Sequence, residues 1–493
     1  MGDQLVQILP LKTLQPVRMD DVAARQEASL PPGLAPGTGK TFYIETFGCQ
    51  MNVHDSEKVA GVLLARGYRP VESHEEAELI LYNTCSIREK AAQKVFSRLG
   101  ALRKGYRSSS KIVGVLGCVA QQEGEEIFER APQVGLVCGS ASYPRIPELI
   151  DKLEQGQRRV TGLELETEDC FETELTRRDN PFRAYLTIIE GCDKACSYCV
   201  VPMTRGPERS RPSGRVLEEV KRLAGEGYSE IQLLGQTVNS YRDPSPARLS
   251  FAELLVRVAE TGGVRRVRFT TSHPRDFGPE IVQAIESHPA ICNQIHLPVQ
   301  CGSNRILAAM RRTYTREEYL EKIDCIRSSQ RSISVSTDII VGFCGETEED
   351  FAQTLDLIER VGYGQMFSFK YSVRPKTAAG GWVDSVPEEE KSRRLTLLQE
   401  RQRQIQLAAH QGLIGREFEV LVEGFHPKLG QSAGRTTCNR TINFAGRPEW
   451  TGSYLKVRVT AAGPNSLVGE REDGNFQPPE PASIAPGEDC HGS

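Results

Sequence analysis

The chain has 493 residues, 39% hydrophobic and 26% charged, with a formal net charge of -4. That length exceeds what one hydrophobic core organises and implies two to four domains, and the mild negative charge excludes a wholly basic surface while leaving room for a local patch that meets nucleic acid. No apolar run approaches the roughly 18 residues of a membrane span, no secretory leader is legible, and fourteen cysteines in so long a chain favour reduced thiols, metal ligation or redox chemistry over a disulfide scaffold.

Residues 1–40 mix charge, Pro and Gly without periodicity and read as a flexible leader. The string "GLAPGTGKT" within them imitates a phosphate-binding loop, but Leu34 stands where its first glycine is needed and the strand-like "FYIET" follows instead of a helix. From 41 to 155 the pattern alternates: "TFYIETFG" strand, "DSEKVAGVLLARG" helix, "AELILYNTC" strand, "REKAAQKVFSRLGALRK" helix, "KIVGVLGC" strand. Such a βαβ series predicts a parallel-sheet α/β domain. Acidic, irregular residues 156–177 read as a linker. Between 178 and 411, "AYLTIIE", "EIQLLG", "RVRFTT", "QIHLPV", "SVSTDIIVGF" and "GQMFSFKYS" supply strands alternating with helices, which predicts a partial or complete (β/α) barrel. A charged helix near 387–411 leads into short alternating runs over 412–475, a small β-barrel. The Pro- and Glu-rich tail 476–493 reads as disordered.

The densest chemical signal is "GCDKACSYCVV", with Cys192, Cys196 and Cys199 directly after the first barrel strand. A structural zinc normally takes four protein ligands. A [4Fe-4S] cluster held by three thiolates keeps one iron open for a cofactor, and the loop lies at the strand end where barrel enzymes build their sites. A second set is spread out: Cys49, Cys85 and Cys118 each end a strand, 36 and 33 residues apart. One βα step per interval brings all three to the C-terminal edge of a parallel sheet, where open α/β sheets bind ligands. Cys138 also ends an apolar run, and spacing alone leaves it open as a fourth ligand.

The Cys-x3-Cys-x2-Cys spacing with Tyr198 before the last cysteine resembles the radical S-adenosylmethionine (SAM) enzymes. With "ETFGCQMNVHDSE", "NTCSIREKAAQKV" and "GCVAQ", similarity extends over about 41–470 to the methylthiotransferase family within them. The resemblance implies a radical SAM [4Fe-4S] cluster on Cys192, Cys196 and Cys199, an auxiliary [4Fe-4S] cluster on Cys49, Cys85 and Cys118, and a SAM contact at Tyr198. Cys138, Cys301 and Cys344 fall outside that ligand pattern. It implies that one SAM methylates a sulfur and a second generates the radical that removes an unreactive hydrogen. "GCQMN" and "HLPVQ" imply methylthiolation at C2 of N6-isopentenyladenosine beside the tRNA anticodon (A37). The alternatives are another tRNA nucleoside, a ribosomal protein, or an RNA-binding iron-sulfur redox sensor without turnover. A reducing donor such as flavodoxin or ferredoxin, a monomeric state and a cytoplasmic location complete the expectation.

The C-terminal module resembles a TRAM domain through "LIGREFEVLVEG" and "GRTTCNRTINF". Over 412–469, Arg416, Lys428, Arg435, Arg440, Arg447, Lys456 and Arg458 outnumber four glutamates, which predicts a grip on RNA phosphate, against the plainer reading of solvated strand surfaces. "RRVRFTTSHPR" adds Arg265, Arg266, Arg268 and Arg275 as positive charge at a barrel strand end. His273 reads as a polar site residue or, by slight preference, a satisfied loop histidine. Arg311 and Arg312 in "MRRTYTREEY" read as RNA contacts or an exposed helix end.

Overall fold

A computed structural model describes residues 39–86, 89–102, 111–165 and 175–472. The leader, apart from its last two residues, and the tail 476–493 lie outside the described residues.

The N-terminal domain is a six-stranded parallel sheet built from β1 (Thr41–Phe47), β2 (Arg69–Pro70), β3 (Leu79–Thr84), β4 (Ile112–Gly117), β5 (Leu136–Cys138) and β6 (Val160–Gly162). Its spatial order is β2-β1-β3-β4-β5-β6. Strand β3, "LILYNT", is buried along its whole length because helices cover both faces. On one face Leu79, Leu81 and Leu116 pack against Val59, Leu63, Ile146 and Leu149. On the other, Ile80, Tyr82 and Val115 meet Val95, Leu99 and Ile127. Strand β6 falls inside 156–177, the stretch read as a linker; its residues pair with β5 and finish the sheet. Three residues flanked by charge carry too little periodicity to be seen as a strand, and the neighbour supplies the pairing.

The central domain carries β7 (Arg183–Thr187), β8 (Ile189–Glu190), β9 (Arg209–Ser210), β10 (Glu230–Leu234), β11 (Arg266–Phe269), β12 (Gln294–His296), β13 (Ser334–Val341) and β14 (Gln365–Lys370). Parallel triplets β11-β10-β7 and β12-β13-β14 are joined by a parallel bridge from Val267 to Ile291, giving an open (β/α) barrel of six strands. Capping boxes start its helices where the sequence writes them: Ser250 with Glu253, Thr315 with Glu318, and Thr347 with Asp350. On β13, Val335, Thr337, Ile339 and Val341 are buried, while Asp338 stays half-exposed on the opposite, inner face.

One strand expectation changes in a useful way. "AYLTIIE" breaks after Thr187, and Ile189–Glu190 turns to pair antiparallel with Arg209–Ser210. This ribbon closes the base of the cysteine loop. Gly191 makes the closure possible: its φ is +79° and a Cβ there would lie 1.9 Å from the Pro207 carbonyl oxygen.

The helix Glu388–Gln411 packs on β14 and leads into a closed five-stranded barrel. Its strands are β15 (Glu417–His426), β16 (Gln431–Arg435), β17 (Thr441–Ala445), β18 (Tyr454–Ala462) and β19 (Leu467–Arg471), in the order β15-β16-β17-β19-β18. Val420, Val422, Ile442, Phe444 and Val457 fill the interior. Among the described residues, no helix is long and apolar enough to cross a membrane.

Candidate functional site: two cysteine loops at one domain boundary

Cys49, Cys85 and Cys118 follow β1, β3 and β4, which are adjacent in the sheet, so the topology gathers them at its C-terminal edge. Two glycines shape the approach. A Cβ on Gly48 would fall 2.7 Å from Cys85 Cβ, and Gly117 has φ +88° with Asn83 Oδ1 at 2.4 Å from a would-be Cβ. Behind the thiols lies a polar clamp: Cys49 Sγ donates to Asn52 Oδ1 at 3.3 Å, Asn52 Nδ2 to Asn83 Oδ1 at 3.2 Å, and Asn83 Nδ2 to the Asn52 carbonyl at 2.9 Å. The neighbouring Cys85 side chain, hydrogen-bonded to Cys49, lowers the Cys49 thiol to about 6 against the opposing effect of burial. A cysteine so placed readily supplies a thiolate ligand.

Cys138 is different. It is packed among Leu136, Leu149 and Tyr143 in the core, its thiol donates to the Gly139 carbonyl at 3.4 Å, and burial holds it protonated.

The second trio sits at the mouth of the barrel. The Cys192 N–H donates to the Gly206 carbonyl at 3.2 Å and the Cys199 N–H to the Cys196 carbonyl at 3.1 Å, a tight turn that curls the loop. Burial raises both the Cys192 and Cys199 thiols, Cys199 to about 12. Tyr198 is half-buried and meets Phe343 edge-on at 6.4 Å. Arg312, read from sequence as an RNA contact or exposed helix end, is buried: Nη1 donates to Cys196 Sγ at 3.4 Å and Nη2 to the Pro298 carbonyl at 3.1 Å. Its neighbour Arg311 is exposed, with φ +55°. The sequence singled out Arg312 for its charge but not for this role, because contact with Cys196 joins residues 116 apart.

The two trios meet across the domain boundary. Two residues past Cys199 begins the helix Val201–Arg205, which packs against the helix that starts at Cys118. Arg205 Nη2 donates to Asp55 Oδ2 at 2.6 Å, with both side chains buried. Beside it, Lys58 faces Glu190 at 3.7 Å, and Glu57, its carboxyl pushed up to about 8 by burial, takes the Asp179 N–H.

Of two nearby sequence expectations, the preferred one for His273, a satisfied loop histidine, holds, and the one for the arginines changes. His273 is a loop anchor: Nδ1 accepts the Arg275 N–H at 3.2 Å, Asn239 clamps its backbone at 2.7 and 2.9 Å, and burial pulls it down to about 2. The arginines of "RRVRF" point at the C-terminal barrel. Arg266 donates to the Arg435 carbonyl at 2.7 Å, Arg268 to the Thr436 carbonyl at 2.7 Å and to Glu230 at 3.0 Å, and Arg265 to Glu419 at 3.1 Å; Arg275 pairs with Asp276. They fasten two domains together, and long-range docking of this kind leaves no local trace in sequence. In the small barrel Arg435 and Arg458 also pair, with Glu423 and with Glu417 and Glu472. Arg440 donates to Cys438 Sγ at 2.9 Å and Arg447 faces Glu449 at 4.0 Å, while Arg416, Lys428 and Lys456 are exposed. The basic excess is thus dispersed. A cleft of about 580 Å³ lined by Lys111, Gln133 and Arg158 lies at the opposite edge of the N-terminal sheet and takes no part in this site.

Each trio offers three thiols, the donor type that iron-sulfur clusters take. Among the described residues no group of three His, Cys, Asp or Glu side chains is arranged to hold a single metal ion. All twelve described cysteines are outside any disulfide.

The fold and the cysteine loop at the barrel mouth define a radical SAM enzyme. Family models agree: "Radical SAM superfamily" matches residues 186–358, "Uncharacterized protein family UPF0004" 41–139, and "TRAM domain" 411–470. The radical SAM methyltransferase TsrM from Kitasatospora setae, solved with cobalamin and a [4Fe-4S] cluster bound, shares the fold with a TM-score of 0.52 at 15% identity over 70% of this chain and 74% of that one. The tRNA-2-methylthio-N(6)-dimethylallyladenosine synthase of Solibacter usitatus is 64% identical, with 88% of this chain and 98% of that protein aligned. Its namesake in Koribacter versatilis is 57% identical over 87% and 98%, and that of Aquifex aeolicus 45% over 87% and 98%. The chain belongs to the family of the tRNA-2-methylthio-N(6)-dimethylallyladenosine synthases, and so to the sulfur-inserting transferases.

Proposed function

We propose that this enzyme methylthiolates C2 of N6-isopentenyladenosine at the tRNA position beside the anticodon, using two [4Fe-4S] clusters and two SAM molecules. The observation that carries the reading is the meeting of two three-cysteine loops through the helix Val201–Arg205. Relatives bearing that activity in their names support the substrate. When bound, SAM on the cluster at Cys192, Cys196 and Cys199 supplies a hydrogen-abstracting radical, and the cluster at Cys49, Cys85 and Cys118 supplies sulfur.

The chain's own part is positioning. Tyr198 would shape the SAM pocket, wedged beside Phe343. Arg312 holds Cys196. The inner barrel face at His296, Asp338 and Phe367 would receive the adenine: His296 is fixed between Ser336 Oγ at 3.0 Å and Asp338 Oδ1 at 3.4 Å, and Phe367 beside it is 39% exposed. An exposed aromatic edge inside a barrel suits a base or a prenyl chain. The TRAM barrel, docked by Arg266 and Arg268, would reach the anticodon stem. A flavodoxin or ferredoxin would supply electrons, and the cytoplasm, where tRNA is modified, is the proposed location, with the enzyme acting as a monomer.

Mass spectrometry of tRNA nucleosides from a deletion strain tests this. The expected result is loss of the 2-methylthio nucleoside and accumulation of N6-isopentenyladenosine. Persistence of the 2-methylthio form rejects the substrate and favours another tRNA nucleoside or a ribosomal protein. Failure of the anaerobically reconstituted protein to cleave SAM would leave only a redox sensor.

A further inference from the structure

Arg205 closes the helix that links the two cysteine loops, and the proposed reaction gives it no task. Its side chain is 3% exposed. One terminal nitrogen, Nη2, is taken by Asp55; the other, Nη1, is buried with no hydrogen-bond partner. Three more buried oxygens are also unpartnered: Tyr143 Oη, on a ring within electrostatic reach of Arg205, and Thr84 Oγ1 and Ser86 Oγ, which flank Cys85 in sequence. Buried guanidinium donors are seldom left unused, because each forfeits its hydration without return. The helix of Arg205 lies against the helix begun by Cys118, and Arg205 is within electrostatic reach of both Cys49 and Cys118. With those cysteines as thiols, Asp55 alone balances Arg205. With thiolates and inorganic sulfide in place, the locality becomes anionic and Nη1 gains acceptors.

We propose that Arg205 is a positioning residue of the Cys49, Cys85 and Cys118 centre, lent across the domain boundary by the radical SAM loop: its Nη1 donates a charge-assisted hydrogen bond to sulfur of that centre, and Asp55 fixes its aim. This rests on the reading that those three cysteines hold a [4Fe-4S] cluster. Positive charge and hydrogen bonds at cluster sulfur favour the reduced, more negative state, so Arg205 raises the potential of this cluster and Asp55 tempers it. It also makes the auxiliary centre complete only when the two domains are docked.

The test uses the full-length chain with Cys192, Cys196 and Cys199 all replaced by alanine, so that only the auxiliary centre binds iron, reconstituted anaerobically. Iron content and an EPR-monitored redox titration are read for Arg205→Gln, Arg205→Lys and Asp55→Asn. Arg205→Gln should shift the potential to more negative values, Arg205→Lys should restore most of it, and Asp55→Asn should shift it the opposite way. Opposite signs separate charge from simple loosening of the interface, which would move both the same way. An unmoved potential in Arg205→Gln with iron retained, or equal shifts in Arg205→Gln and Asp55→Asn, overturns the proposal. Absence of iron from the triple-alanine parent overturns the cluster reading and the proposal with it. Should Arg205→Gln lose iron that Arg205→Lys keeps, the positioning role stands.

Discussion

Arg312 donates to the sulfur of Cys196 at 3.4 Å, and the same turn receives the Ser197 N–H at the Met310 carbonyl, 3.0 Å, and the Ser197 hydroxyl at the Ala309 carbonyl, 2.8 Å. A turn between two barrel helices therefore holds the cysteine loop in shape. Groups that orient ligands typically matter 10- to 100-fold in metal affinity or activity, roughly. Arg312→Gln should lower 5'-deoxyadenosine formation by about that factor, with a changed EPR signal for the SAM-bound cluster. The exposed Arg311→Ala should leave both near the parent level; equal loss in the two variants would refute the contact's importance.

The two cysteine sets should separate by activity. Replacing any of Cys192, Cys196 or Cys199 by alanine should abolish 5'-deoxyadenosine formation. Replacing Cys49, Cys85 and Cys118 together should spare that cleavage yet stop methylthiolation. The check is chromatography of 5'-deoxyadenosine beside mass spectrometry of the RNA product, and full product from the second triple variant would sink the assignment.

Arg268, which docks the small barrel through the Thr436 carbonyl, is anchored in the central domain by a buried charge pair. Arg268 is 4% exposed and Glu230 1%, joined at 3.0 Å, and the neighbouring arginines keep the Glu230 carboxyl below its ordinary range despite burial. Removing one partner of a buried pair strands the other, at about 3–5 kcal/mol. Arg268→Met should therefore lower unfolding stability by that order in denaturant titration, and Arg268→Met with Glu230→Leu should recover much of it. Arg265, more than half exposed in its pair with Glu419, should cost below about 1 kcal/mol as Arg265→Ala.

Glycines before the cysteines give a further check. At Gly117, φ is +88° and a Cβ would press on Asn83 Oδ1 and, at 2.7 Å, on the Thr84 carbonyl oxygen. Gly117→Ala should cost roughly 1–3 kcal/mol and reduce iron retained by the auxiliary centre. Gly214, in the helix Ser213–Gly225 with nothing within 4 Å of a Cβ, should tolerate alanine without loss. Equal iron content in the two variants would refute the constraint.

Local patterning made much of this architecture legible. Strand β3 reads as a continuous apolar run because it is buried on both faces, and Thr347 with Asp350 writes a helix start in four residues. The convergence of Cys49, Cys85 and Cys118 follows from one βα step per interval. What escaped depends on contacts without a local signature. The docking of Arg266 and Arg268 spans about 170 residues of chain, β6 needs β5 as its partner, and Arg205 with Asp55 joins positions 150 apart. A run of arginines reads alike whether it meets phosphate or a neighbouring domain's carbonyls; only the acceptors differ.

Phe367 supplies the sharpest test of substrate placement. It stands beside Asp338 in the register of β13 and β14 and meets the His296 ring edge-on at 5.9 Å. The opposite face of β13 is sealed under helices, so an exposed ring on this face looks into the barrel. Stacking of a base on such a ring is worth about 1–3 kcal/mol, and losing it should lower kcat/KM for an isopentenylated anticodon stem-loop by roughly 10- to 100-fold. Phe367→Ala should show that loss mainly in KM, while SAM cleavage without RNA stays near the parent rate because no cysteine loop is touched. Phe367→Leu, which keeps an apolar surface for a prenyl chain but no ring face, should fall between the two if the base does the stacking. If Phe367→Leu equals the parent, the prenyl chain occupies this surface, and unchanged kinetics in Phe367→Ala would move the adenine off this strand altogether.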